Sequence, residues 1–337
     1  MRAFVVTAPG VAAVEHVPAP DPRAGEAIVD IERVGVCGTD VELFTGVMSY
    51  LHNGVAHYPI RLGHEWAGTV SSVGQGVDAE WIGRRVMGDT MIGDTTCRRC
   101  RRGHRHVCEH VSEVGMHGYD GALAEQIAVP VSSLHALPDS VDAATGALVE
   151  PAGSALRAAR AAEVADGDRA LVLGPGTIGL LVAMFLRTAG AEVHFMGVTE
   201  PSLRFARSLG FERAWLADEL PSLHFDAVIG ASTAAHLPAL ALDLVEPAGR
   251  LVYVGLAGSP SHIVTRTLAL KDVTAVGILS ASPALADTIA TFAAGTVDPR
   301  PVIAATVPLG RVGDVLAGWR PADAGPGPKI HVDPRCS

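Results

Sequence analysis

The sequence predicts an α/β protein made of two domains. One is a β-rich domain over residues 1–150, completed by 298–337, and the other is a doubly wound parallel sheet over 151–297. Three observations point there. A chain of 337 residues exceeds what a single core usually serves. An apolar content of 48% with a mean hydropathy of +0.30 suits parallel strands that are apolar throughout because helices cover both faces. The texture also changes at Pro151, from short strand-like runs between glycine and proline turns to long alanine- and leucine-rich helical segments alternating with buried strands.

In order, "MRAFVVTAPGVAAVEHV" has one arginine and an apolar run broken by Pro9 and Gly10, which reads as strand, turn and strand rather than a signal peptide. "EAIVDIERVGV" and "ALAEQIAVP" are further strands of the first domain. After Pro151, "RALVLG", "AEVHFMG", "DAVIGAS", "GRLVYVG" and "DVTAVGIL" are the buried strands, and the last leaves an open sheet edge that predicts a homodimer or homotetramer. The longest apolar run, "TIGLLVAMFL", is too short to span a bilayer. A formal charge of −10, with arginines scattered except near one cysteine-rich stretch, argues against nucleic acid and anionic membrane as partners. Five cysteines, three of them crowded together, suit a reduced cytoplasmic chain rather than a disulfide framework.

"RALVLGPGTIGLL" sets Gly174, Gly176 and Gly179 in G-x-G-x-x-G spacing between a strand and an apolar helix, the turn running on through Thr177 and Ile178. Glycines there allow a tight turn and close approach to a pyrophosphate at the helix N-terminus, so a dinucleotide is expected. The next strand ends at Gly197, where an acidic residue would select NAD by binding the ribose 2′-hydroxyl. Gly197 removes that selection, Val198 and Thr199 add no cation, and Arg204 or Arg207 is within reach of a 2′-phosphate, while Glu200 is an alternative partner for the hydroxyl. The expectation is NADP or NAD, leaning to NADP.

In the first domain, "VGVCGTDVELF" and "RLGHEWAGTVSSVGQGV" place Cys37, His64 and Glu65 in glycine-braced turns. Thiolate and imidazole suit zinc. A buried thiol, a core histidine and a solvated glutamate are the plainer reading, and their separation in sequence does not choose.

With these motifs in order, the chain resembles the zinc-containing medium-chain dehydrogenase/reductase family over essentially its whole length. The resemblance implies a GroES-like catalytic domain, a Rossmann domain and a catalytic Zn²⁺ on Cys37 and His64. Glu65, and Glu150 of the Glu150-Pro151 pair, are its further implied ligands. It also implies that Asp40 orients a ligand and that Thr39 passes the alcohol proton outward. The stretch "SEVGMHGYDGALAEQ" is similar to the sugar-facing segment of glucose dehydrogenases, which implies Glu113 and His117 near substrate, with Glu42 where relatives carry a relay histidine. The family's lobe zinc takes four cysteines. Here Cys97, Cys100 and Cys108 fill three of those places and Asp94 the first, with His104 or His106 as possible substitutes for Asp94. Four protein ligands close a zinc site, so that metal would be structural. The implied activity is hydride transfer between NAD(P) and a hydroxylated small molecule, a sugar, polyol or aminocyclitol. A simple alcohol dehydrogenase, or a non-catalytic nucleotide-binding protein on the same fold, is the rival.

Overall fold

A computed structural model describes residues 1–336. The chain opens with an antiparallel hairpin, Arg2–Ala8 against Val11–His16. The first large sheet runs in the order Leu134–Ala136, Arg85–Gly88, Glu65–Val73, Glu26–Gly35, Lys329–Asp333, Ile303–Pro308, with Gln126–Pro130 also pairing to Glu26–Gly35. Two C-terminal strands are thus built into the sheet that carries the first 150 residues. Strand Lys329–Asp333 is wholly buried, and its side chains alternate. Ile330 and Val332 join the apolar core, and the period of two puts Lys329, His331 and Asp333 on the other face.

The second sheet has six parallel strands in the order Ala214–Leu216, Glu192–Gly197, Arg169–Leu173, Phe225–Gly230, Val245–Tyr253, Thr274–Gly277. Chain order reverses between Arg169–Leu173 and Phe225–Gly230, and ligands of such sheets bind at the carboxyl ends beside this point. Helix Thr177–Thr188 is buried continuously from Gly179 to Leu186, because it lies between the sheet and helix Val149–Ala161 and has no solvent side to keep polar. Helix Val149–Ala161 crosses the expected boundary at Pro151 unbroken, and one core cluster joins Ala67, Met87 and Leu137 to the second sheet. Each fully buried large side chain, such as Leu148 or Leu180, contributes roughly 1.5–3 kcal/mol to that seam.

Candidate metal centre and dinucleotide crevice

Cys37 caps helix Gly38–Thr45, and the capping is reciprocal, with Asp40 accepting the Cys37 backbone N–H at 2.8 Å. The other Asp40 oxygen accepts the Gly63 N–H at 3.1 Å, so one fully buried carboxylate ties the Cys37 turn to the His64 turn. Thr90 donates its hydroxyl to the His64 carbonyl at 3.3 Å. The ring of His64 is buried, its Nδ1 has no hydrogen-bond partner and it stands 3.7 Å from Asp40. Donor atoms of Cys37, His64 and Glu65 lie within 4.8 Å of one another. Bonds of about 2.0–2.3 Å in a tetrahedral zinc site set ligand atoms roughly 3.3–3.8 Å apart, so this donor set fits that ion in both spacing and softness.

Glu65 carries a second relationship that the sequence did not announce. Lys329 donates to both its carboxylate oxygens, at 2.6 and 2.9 Å in bonds that are buried, and to the Val36 carbonyl at 3.0 Å. Burial alone would raise the Glu65 carboxyl, but the adjacent ammonium holds it below its ordinary value. The signal was present: Lys329 is one of two lysines in the chain and sits in an alternating strand. Glu150 opens helix Val149–Ala161 and stays outside the three-residue cluster. Burial pushes its carboxyl up to about 7, with His64 and Glu65 among the charges it feels.

Thr39 and Glu42 are half-buried on the helix that Cys37 caps. Glu113 is buried, accepts the Tyr50 hydroxyl at 3.0 Å and lies 3.5 Å from His117 Nε2. The neighbouring Val114 N–H donates to the Thr90 carbonyl at 3.0 Å, which anchors this strand beside the residue that braces His64. Tyr50 was not singled out from the sequence. Burial and the Glu113 charge push its hydroxyl up to about 12.

The cysteine-rich stretch folds into a knuckle in which Asp94, Cys97, Cys100 and Cys108 bring donor atoms within 4.8 Å of one another. His104 and His106 lie outside this group. Backbone N–H groups of Asp94 and His110 point at the Cys108 sulfur at 3.3 Å, and that of Cys100 at the Cys97 sulfur at 3.4 Å, an arrangement that stabilises thiolates. These donors also fit a zinc ion.

At the crevice, Gly174 has φ 107°, and a Cβ on Gly179 would come within 1.9 Å of the Gly174 carbonyl oxygen, so both positions exclude a side chain. Gly176 caps the helix whose first turn holds Thr177 and Ile178. A cavity of about 310 Å³ adjoins this turn, lined by Ser232, Leu237, Tyr253 and Leu256. A larger cavity, about 640 Å³ and lined by Glu15, Asp21, Arg61 and Tyr119, contains none of the clustered ligands. Donor chemistry, not volume, marks the site. At the end of strand Glu192–Gly197, Arg207 is tied back to Glu200 at 2.8 Å and to the Ala214 carbonyl. Arg204 projects outward, 4.0 Å from Glu200, and Thr199 shares a hydrogen bond with Ser202. Gly197 is crowded: a Cβ there would lie 2.9 Å from Leu203 and 3.1 Å from Pro175.

The chain matches two family models, the alcohol dehydrogenase GroES-like domain over residues 23–139 and the zinc-binding dehydrogenase domain over 177–294. The 2-dehydro-3-deoxy-L-galactonate 5-dehydrogenase of Pseudoalteromonas atlantica is 30% identical, with 88% of each chain covered. The chain belongs to the zinc-type medium-chain dehydrogenase/reductase family. Another member, the L-threonine 3-dehydrogenase of Saccharopolyspora erythraea, is 32% identical over 82% of this chain and 83% of its own. A dehydrogenase structure from Sinorhizobium meliloti 1021, solved with NADP bound, superposes with a TM-score of 0.89 at 25% identity and 99% coverage of both chains. Membership makes this chain an oxidoreductase with a GroES-like domain and a Rossmann domain, as the sequence motifs implied.

Proposed function

We propose that the protein moves a hydride between a secondary hydroxyl of a sugar, polyol or aminocyclitol and NAD or NADP, with zinc at the Cys37–His64 cluster. The observation that carries this reading is the convergence of Cys37, His64 and Glu65 in turns braced by Asp40 and Thr90. Zinc held there supplies Lewis acidity, which lowers the pKa of a hydroxyl brought to it. Asp40 orients both ligand turns, and Thr39 takes the substrate proton outward. Lys329 keeps Glu65 ionised and leaves each carboxylate oxygen a lone pair, so that Glu65 serves the metal beside Cys37 and His64 while Glu150 acts as an electrostatic neighbour. Glu113, with Tyr50 and His117, offers hydroxyl-binding groups. The dinucleotide pyrophosphate meets the N-terminus of helix Thr177–Thr188, where free N–H groups favour an anion. The two relatives act on a sugar-acid derivative and on L-threonine by their names, which supports a polar substrate.

Among the described residues no helix is long and apolar enough to cross a membrane, and we propose a cytoplasmic homo-oligomer paired along strand Thr274–Gly277. That strand is an exposed edge, flanked by exposed Leu270 and Leu279. The test is nicotinamide absorbance against a panel of sugars, polyols, aminocyclitols and L-threonine with both cofactors, alongside elemental analysis. Cys37→Ser is expected to lose one zinc and all turnover. An active Cys37→Ser protein with unchanged metal content overturns the reading.

A further inference from the structure

The knuckle differs from a four-cysteine site in one ligand, Asp94, and in what holds that ligand. Asp94 Oδ1 accepts two backbone N–H groups, from Thr96 at 2.8 Å and Cys97 at 2.9 Å. Those two bonds occupy both lone pairs of that oxygen and leave Oδ2 as the one free to ligate. Oδ2 in turn stands 2.8 Å from His110 Nδ1. His110 therefore touches the knuckle twice, through its ring at Asp94 and through its backbone N–H at the Cys108 sulfur. The second contact is main chain and survives any change of side chain.

We propose that His110 is a positioning residue for a metal in this knuckle: its Nδ1–H donates to Asp94 Oδ2, aims the remaining lone pair at the ion, and sets how fast the ion leaves. A ligating carboxylate that is not itself hydrogen-bonded rotates and exchanges, and loss of such an outer partner typically weakens metal affinity 10–100-fold. His110 is three-quarters exposed, so water competes for the same oxygen and the lower end of that range applies. A thiolate in place of Asp94 is a softer and firmer ligand, with little need of an outer donor. The metal in this lobe is accordingly exchangeable, with its rate governed by one imidazole outside the ligand set.

The experiment needs no substrate. Zinc-loaded protein is challenged with the chromogenic chelator 4-(2-pyridylazo)resorcinol, and the knuckle phase of zinc release is identified as the one missing in Cys100→Ser. His110→Ala is expected to release that zinc about tenfold faster. His110→Asn, whose amide nitrogen falls where Nδ1 was, keeps nearly the parental rate. In Asp94→Cys, release is slower than in the parent, and adding His110→Ala changes it little. The proposal is overturned if the parent has no knuckle phase, or if His110→Ala releases zinc at the parental rate. It is equally overturned if His110→Asn is as fast as His110→Ala, or if the acceleration persists in full in Asp94→Cys.

Discussion

Removing Lys329 isolates the least visible element of the metal centre. The Lys329 and Glu65 side chains are 4% and 2% exposed, and the ammonium makes three hydrogen bonds, two of them to Glu65. In Lys329→Met the carboxylate stays buried without a donor, and breaking a buried pair from one side costs about 3–5 kcal/mol. At roughly 2–4 °C per kcal/mol, metal-free protein should melt about 6–20 °C lower. Guanidinium unfolding of the parent, Lys329→Met, Glu65→Gln and the double variant closes a cycle. Because Glu65→Gln removes the stranded charge, the double variant should recover about 2–3 kcal/mol relative to additive losses. The sign with pH is fixed: Glu65 lies below its ordinary 4.5 when folded, so the pair's contribution is present above that value and fades as pH falls through the folded pKa. The gap between parent and Lys329→Met should therefore narrow in acid. A Lys329→Met protein within about 1 kcal/mol of the parent at pH 7, or an additive cycle, would show that the pair does not hold the site together.

Three further outcomes are expected. Glu150 has the opposite sign: with a folded value of about 7 against 4.5, it favours folding in its protonated form, and metal-free protein should lose about 3 kcal/mol as pH rises from 4.5 past 7, a loss that Glu150→Gln abolishes. A pH-stability profile identical in parent and variant refutes this. Cofactor choice is better tested at Val198 than at Gly197, because Val198 is 87% exposed whereas a side chain at Gly197 would strike Leu203 and Pro175. Val198→Asp should shift the ratio of kcat/KM toward NAD, and Arg204→Ala should cost NADP about tenfold, near the lower end for a charge-assisted contact; unchanged ratios in both refute the assignment of this strand end. Light scattering should find a species larger than the 34.9 kDa chain, and charged substitutions at Ala275 and Val276 should reduce it; a monomer at micromolar concentration refutes edge pairing.

Features whose chemistry is local were legible in the order of the residues alone. The turn from Gly174 to Gly179 needs glycine for reasons of backbone angle and close approach within six residues, so its spacing is readable before any folding. Cys97, Cys100 and Cys108 are close in sequence and had to be close in space, and Cys37 sits three residues before the aspartate that caps it. What tertiary structure decided are the relationships between distant strands. Lys329 reaches Glu65 across 264 residues because the C-terminal strand inserts beside Glu26–Gly35, and although alternation marks the face on which Lys329 lies, nothing at either end names the strand it meets. The choice of Asp94 over His104 and His106, its engagement by His110, the tying of Arg207 to Glu200, and the crowding at Gly197 depend likewise on which side-chain atoms meet once the backbone has turned. Residue type sets what a group can bind, but the order of strands in a sheet sets whether its partner arrives.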